Sequence, residues 1–486
     1  MFLGIDIGTS AVKVSLLDDD LEEVASTASP LTTSSPHPGW SEQNPADWQR
    51  ATIAALRSLG TDRTLNGVRA IGLSGQMHGA VLLDAQGTVL RPAILWNDGR
   101  SGAVCAQLER DHPELSDLAG VRPMPGFTAP KIAWLAEHEP AIHARIAHVL
   151  LPKDHLGLWL HGGHVTDGCD AAGTWWFDQG ARAWSDALCA ATATDPAWLP
   201  RAINGTEIAG TLRPGPAEAL GLPAGIPVAA GGGDAAAGAV SIGATEPGRG
   251  FISLGTSGQL FVCTDGYRAA PQAGLHSYAH ALPDRWFQMA AMLNGARPMS
   301  WFSEITGTPV GDLLKQAEQA QASQAKGEIP LFLPYLTGER TPHGDTRIRG
   351  AFYGLADATG SGEMMRGIVE AIAYAFCDAV DAMRQATEIP EPLLTIGGGT
   401  RSDLLLQTIS DATGITLMRG KGAETGPALG AGRMAAVASG AAPITDLARS
   451  PETGTTFTPR PDQAAYHADR LARYRALYQA LKPLRD

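Results

Sequence analysis

Two aspartates and two small-residue turns are the residues of this chain whose types and spacing could do chemistry. Asp234 follows three glycines in IPVAAGGGDAAAGAV (residues 226–240), and Asp6 stands two residues before Gly8-Thr9-Ser10. The same tripeptide returns as Gly255-Thr256-Ser257. Such turns offer consecutive backbone N–H groups to an anion, because glycine lets an oxygen approach the main chain and the hydroxyls add donors. No GxxxxGK[ST] or GxGxxG motif occurs in a fitting context, so a phosphate site here is of another kind. Phosphoryl transfer needs positioning, charge neutralisation and a group to take the proton of the attacking hydroxyl. Asp6, beside the first turn, suits action through a hard divalent cation or its waters. Asp234, kept ionised at a helix N-terminus, suits the role of base. The alternative is structural: the glycines turn a strand into a helix, Asp6 is a satisfied strand-end carboxylate, and Asp234 is an N-cap.

The elements that must position these groups read as a duplication. LGIDIGTSAVKVSLL (residues 3–17) alternates on either side of Gly8-Thr9-Ser10, which predicts an antiparallel hairpin, and FISLGTSGQLFVCT (residues 251–264) repeats the pattern. A second echo pairs IPVAAGGGDAAAGAV with LLTIGGGTRSDLLLQTI (residues 393–409): each is an apolar strand, three glycines and a helix, the first helix starting near Ala235. The interval from turn to glycine run is longer in the first half (8–231) than in the second (255–397), so the first half carries extra chain able to build a site. That extra chain holds VRAIGLSGQMHGAVLLD (residues 68–84), read as strand, loop and strand. Gln76, Met77 and His78 in its loop could line a polyol pocket, although His78 taken alone reads first as a structural histidine. Trp40, Trp48, Trp96, Trp134, Trp159, Trp175, Trp176 and Trp184 crowd the same half, as sugar-stacking walls or as core. Trp40, Glu42, Asn97, Asp98, Arg100, Lys153 and Asp154 rank lower, since Asp98 with Arg100 and Lys153 with Asp154 also read as local ion pairs.

Helical spacing marks residues 362–379 and the small-residue segment 424–438, expected to pack closely on or beside a sheet, and an amphipathic C-terminal helix near 462–481 whose basic residues form a solvated face. Residues 316–328 read as an exposed helix end and loop. At 486 residues the chain exceeds one core, which predicts two domains with a cleft between them. Its net charge of −13, without a Lys/Arg cluster, excludes the footprint of a nucleic-acid binder, so any polyanion must be met by local groups. Five cysteines without a C-x-x-C pair point to a reducing compartment. With no signal-peptide pattern and no apolar span of about 20 residues, the expectation is a cytoplasmic protein that does not enter a membrane.

Over essentially its whole length the chain resembles the FGGY carbohydrate kinases. The resemblance is carried in order by GIDIGTSAVKV, HPGWSEQNP, SGQMHGAVLLD, LRPAILWNDGR, PGFTAPKIAWL, LLPKDHL, AAGGGDAAAGAV, SLGTSG, LPYLTGERTPH and IGGGTRSD; residues 126–138 are similar to the family's first signature and 350–370 approximate its second. It implies an α/β fold of two actin-like (ribonuclease H-like) domains, residues 1–244 binding sugar and 245–486 binding ATP, with the nucleotide and sugar cleft between them and the C-terminal helix packed back on the first domain. It further implies ATP- and Mg2+-dependent phosphorylation of the terminal hydroxyl of D-xylulose, with another ketose or polyol such as ribulose as the alternative and a non-catalytic nucleotide-binding sugar sensor as a more distant one. By resemblance Asp234 is the general base, Asp6 the metal-side carboxylate, and Gln76, Met77 and His78 substrate contacts. ATP would lie against Gly8, Thr9, Ser10, Gly255, Thr256 and Ser257, with Gly295, Gly398, Gly399 and Arg401 towards the nucleoside, in a possible homodimer. The pattern departs at Ala235, where relatives often have Asn after the aspartate.

Overall fold

A computed structural model describes residues 1–60, 65–322, 329–420 and 426–484. The first hairpin forms where the alternation predicts it: β1 (Phe2–Ile7) pairs with β2 (Ala11–Leu17), and the Gly8 amide closes the turn onto the Ala11 carbonyl at 3.0 Å. β3 (Glu23–Pro30), β4 (Ala70–Gly75), β5 (Ile208–Thr211) and β6 (Pro227–Gly233) complete a mixed sheet in the order β5-β6-β4-β1-β2-β3. β1, β4 and β6 run parallel, so their C-terminal ends come out on one edge, where an open α/β sheet presents ligand sites.

The glycines before Asp234 are part of β6 rather than a turn after it. The register with β4 shifts between Ala229 and Gly232, and Gly231 sits there at φ 74°. A Cβ at Gly231 would lie 1.7 Å from the Leu73 carbonyl oxygen, so this bulge admits only glycine. The strand then runs directly into α1 (Asp234–Ser241), one residue earlier than expected.

The second sheet contains β7 (Gly250–Leu254), β8 (Gly258–Thr264), β9 (His276–Ala279), β10 (Trp286–Met292), β11 (Leu393–Ile396), β12 (Leu417–Gly420) and β13 (Thr453–Phe457), ordered β9-β10-β8-β7-β11-β12-β13. Outward from each hairpin the neighbours match in direction: β7 and β8 stand for β1 and β2, β10 for β3, β11 for β4, β12 for β6, and β13 for β5. The duplication is real, but the echo between the glycine runs is not. Gly397–Gly399 follows β11, the counterpart of β4, and so answers the Gln76-Met77 loop. The counterpart of the Asp234 junction is the end of β12, which leads through residues 421–425, outside the described residues, to α5 (Pro427–Ala438).

Four further helices serve the second domain or cross between domains. α2 (Val310–Ala322), α3 (Ser361–Met383) and α4 (Asp403–Thr413) pack around the second sheet. α5 packs closely on a sheet as expected, and the sheet is the first: it crosses α1 and lies on β1, β4 and β6. The reason is its glycine pattern and that of its partners. A Cβ at Gly4 would stand 1.7 Å from the Ala428 oxygen, one at Gly72 1.9 Å from the Ala431 oxygen, and one at Gly430 1.9 Å from the Ala237 oxygen. Helix and sheet therefore meet backbone to backbone.

α6 (Ala464–Leu481) also corrects the expectation of packing on the first domain. Tyr474 meets Tyr335 hydroxyl to hydroxyl at 2.6 Å, Arg470 binds Glu370 at 2.6 Å, and Arg475 binds Asp378 at 2.7 Å, all within the second domain. The buried Arg470 is thus an anchor rather than part of a solvated face. Of residues 316–328, the part to 322 ends α2 and the remainder lies outside the described residues. The backbone contact at α5 yields a prediction. Gly72→Val costs more than about 4 kcal/mol in urea unfolding, a value reserved for core disruption, whereas Gly215→Ala, with nothing within 4 Å of its added Cβ, costs nothing measurable.

Candidate active site

Asp6 lies near the end of β1, flanked in register by Lys13 on β2 and Ser74 on β4. Burial lifts its carboxyl to about 6, against the lowering effects of a Ser74 hydrogen bond and the Lys13 charge. Its Oδ1 is buried without a hydrogen-bond partner, so the satisfied strand-end reading fails for that oxygen. Asp234 is the first residue of α1; the N-cap is Gly233, and no side chain caps this helix. The N-cap reading of Asp234 therefore fails as well. The Asp234 side chain is exposed at the start of α1. Desolvation by the surrounding protein, and then the Asp6 charge, raises its carboxyl to about 7, while the Ala235 amide pulls the other way. The Asp6 charge at the end of β1 thus opposes ionisation of Asp234 at the start of α1, whose carboxyl is poised near neutrality.

The first small-residue turn is held from below. The Thr9 hydroxyl donates to Gln76 Oε1 at 3.0 Å and accepts from the Trp96 indole at 2.9 Å, so it is committed, and the Thr9 and Ser10 amides with the Ser10 hydroxyl remain for an anion. Gln76 Nε2 donates to the Gly8 carbonyl at 3.4 Å and to Gln43 Oε1 at 3.0 Å; Gln43 in turn donates to the Thr9 carbonyl at 2.7 Å. Gln76, expected to face substrate, is instead a buried bracket whose amide is fully occupied. Gln43 was not singled out from sequence, because nothing local distinguishes a bracketing amide. Ser10 is exposed at the turn.

Met77 is brought next to Asp234, and His78 packs beside Met77. A Cβ on Gly233 would meet Met77 Cγ at 2.7 Å, and one on Gly173 would meet His78 Nδ1 at 2.7 Å and Met77 Cε at 2.8 Å. His78 sits at φ 71°, a conformation non-glycine residues rarely adopt. It is pinned there by two bonds to its carbonyl, from the Thr128 hydroxyl at 3.1 Å and from Lys131 Nζ at 2.8 Å. Thr128 and Lys131 belong to PGFTAPKIAWL, which gives that segment a physical task. His78 Nδ1 lies 2.5 Å from the Gly173 carbonyl and must donate to it. Burial holds the imidazole well below its usual range, so it is neutral and Nε2 is left to accept from a hydroxyl.

The second turn, Gly255-Thr256-Ser257, is open to the cleft, with Thr256 and Ser257 exposed. The Gly295 and Ala296 amides bond the carbonyls of Thr256 and Gly255 at 2.9 and 2.7 Å, and a Cβ on Gly295 would lie 2.2 Å from the Ser257 oxygen. Gly397, at φ 91°, and Gly399 close against Leu254, while Gly398 has open space beside it. Arg401 is exposed at the end of the same short turn of helix. The structure thus gathers Gly255, Gly295, Gly398 and Gly399 into one surface.

The lower-ranked residues are structural. Arg100 binds Asp98 at 2.8 Å and Glu42 at 2.6 Å and lies 3.5 Å over Trp40. Lys153 is buried between Asp154 at 2.5 Å and Asp167 at 2.9 Å. Asn97 is exposed. Of the tryptophans, Trp48, Trp175 and Trp176 are core. All five cysteines are buried and free. Among the described residues no cluster of three or more His, Cys, Asp or Glu side chains has the arrangement of a metal site, and no helix is long and apolar enough to cross a membrane.

Two sheets of one topology, each with a small-residue hairpin turn, and Asp6 and Asp234 at the strand ends of the first, form an actin-like two-domain fold. The chain belongs to the FGGY family of carbohydrate kinases, whose N-terminal domain matches residues 1–241 and C-terminal domain residues 250–439. It is 43% identical to a xylulose kinase of Escherichia coli K12 over the full length of both chains, and 41% identical to one of Klebsiella pneumoniae, again over both full lengths. A crystal structure of a xyloylose kinase from Brucella ovis superposes with a TM-score of 0.93 at 40% identity, covering 99% of each chain.

The bracket under the first turn predicts a separation of effects. Gln76→Leu removes three hydrogen bonds of about 1 kcal/mol each without touching the cleft. Nucleotide affinity measured by calorimetry falls at least about tenfold, and sugar affinity changes less than about threefold.

Proposed function

We propose that this protein is an ATP-dependent D-xylulose kinase producing D-xylulose 5-phosphate, with Asp234 as general base. Full-length identity to xylulose kinases supports the sugar, and the observation that carries the chemistry is the Asp234 carboxyl, raised to about 7 beside Met77 and His78. In this reading the sugar's terminal hydroxyl lies against Asp234, and the neutral His78 accepts from another sugar hydroxyl. Phosphates lie against Gly8 and the amides of Thr9 and Ser10 in one turn and against Gly255–Ser257 in the other, and the nucleoside on Gly295, Gly398, Gly399 and Arg401. The sugar oxygen forms a bond to the γ-phosphorus as the bond to ADP breaks, and the hydroxyl proton passes to Asp234.

The unpartnered Asp6 Oδ1 fits a hydrated Mg2+, which when bound offsets phosphate charge. With no protein cage around it, such an ion would be held through Asp6, water and phosphate oxygens together. Bringing the two domains against the substrates keeps water from competing with the sugar. A cytoplasmic homodimer is the assembly and location we propose by resemblance to the family; light scattering that reads the mass of one chain overturns the dimer.

A general base works in its ionised form, so a raised carboxyl loses activity as pH falls. The expected kcat/KM for D-xylulose rises with pH through an inflection at about 7. Asp234→Asn lowers kcat by at least about a hundredfold and leaves sugar binding in place. In a coupled ADP-release assay across ketoses and polyols, a higher kcat/KM for ribulose or another sugar overturns the xylulose assignment. Full turnover by Asp234→Asn overturns the base.

A further inference from the structure

Arg340 stands out because its half-buried guanidinium, among the described residues, makes no hydrogen bond or ion pair with the protein and touches only an aromatic face. Arg100, Arg366 and Arg470 each hold a carboxylate, at 2.6, 3.0 and 2.6 Å. Among the described residues the Arg340 guanidinium makes no hydrogen bond and no ion pair, although enclosure by protein pulls its pKa down. Its neighbour favours the charge without bonding it: Glu339 Oε1 accepts from the Leu293 amide at 2.6 Å and the Arg340 amide at 2.8 Å, and burial lifts that carboxyl to about 7. A half-buried guanidinium whose donors are not taken by the protein is available to an anionic ligand.

The guanidinium is held in place all the same. It lies 5.5 Å from the Trp96 ring, and Trp96 donates to Thr9 in the first phosphate turn. The backbone around it is tied on both sides. The Glu339 and Asp345 amides each bond the other's carbonyl at 2.8 Å. The Thr341 amide bonds the Ala291 carbonyl at 3.1 Å, and the Thr341 hydroxyl bonds the Gly274 carbonyl at 2.7 Å. On the cleft side the groups that feel its charge are His78, His276 and Tyr278. Arg340 is therefore a residue of the second domain whose cation is presented to the pocket containing His78, beside the Trp96–Thr9 link to the phosphate turn.

We infer that Arg340 binds the phosphoryl group during transfer, its fork meeting two of the equatorial oxygens as the phosphorus leaves ADP for the sugar oxygen and Asp234 takes the proton. The ligand class is a phosphoryl or phosphomonoester dianion, on the nucleotide before transfer and on the ketose after it. This deepens the kinase reading and rests on it. It also gives the GERTP segment of the chain a task that neither aspartate supplies.

The test compares Arg340→Met and Arg340→Lys with the unaltered enzyme in steady-state kinetics and in calorimetric binding of D-xylulose and of D-xylulose 5-phosphate. In Arg340→Met, kcat falls roughly a hundredfold and affinity for the phosphorylated sugar falls at least about tenfold, while affinity for D-xylulose stays within about threefold. Arg340→Lys, which keeps the charge without the fork, recovers part of kcat; it also carries the binding comparison if the methionine variant does not fold. A loss confined to D-xylulose affinity, or phosphomonoester binding unchanged in both variants, overturns the inference. An unaltered enzyme inactive on every sugar fails the kinase reading instead.

Discussion

The constraint on which the rest of the structure depends is that Asp6 and Asp234 must both stand at one cleft edge without both being comfortably ionised. Enclosure alone raises each carboxyl, and the charge on Asp6 raises Asp234 further. Such a pair is unstable unless the backbone around it is fixed, and the fold fixes it at each side. Asp6 is carried by the central strand of the first sheet. Asp234 follows β6, the next parallel strand but one, after a bulge that a side chain at Gly231 would forbid. The helix that follows is crossed by α5, a segment of the second half of the sequence, through a contact that a side chain at Gly430 would also forbid.

The same economy governs the anion sites. Neither turn relies on a nearby lysine in the manner of a nucleotide-binding P-loop; each presents backbone amides, and buried groups behind the first turn hold its shape. Gln76, Gln43 and Trp96 form one network around Thr9 and Gly8, so a polar core amide shapes the turn proposed to hold phosphate. Lys131 does the equivalent for His78, its ammonium used to hold a backbone carbonyl in a strained conformation. Positive charge reaches the pocket mainly from the second domain, through Arg340. A ligand that engages both domains brings this cation together with the acidic edge of the first.

How much of this could be read in the sequence follows from what each signal encodes. The two hairpins were legible because period-two alternation and a glycine turn are local properties. Asp6 and Asp234 were legible because each sits next to residues that only close backbone approach explains. The echo between the glycine runs misled, because strands that end at a cleft need glycine whether or not they are equivalent in the sheet. The role of Gln76 was hidden, since its position at a strand end predicts proximity to the site but not the direction of its amide. The packing of α5 on the first sheet and of α6 on the second could not be seen, because both depend on partners far away in the chain. Arg340 was passed over for the same reason: an arginine beside a glutamate reads as an ion pair, and only the tertiary structure has that glutamate occupied by backbone amides.

The most direct measurement of the central claim is a titration of the Asp234 carboxyl itself, by carbon-13 NMR of aspartate-labelled protein with the resonance assigned from Asp234→Asn. The account predicts a midpoint at about 7, falling in the Asp6→Asn protein but staying above the ordinary aspartate value of 3.8, because enclosure remains when the neighbouring charge is removed. A midpoint near 3.8 in the unaltered protein would contradict it.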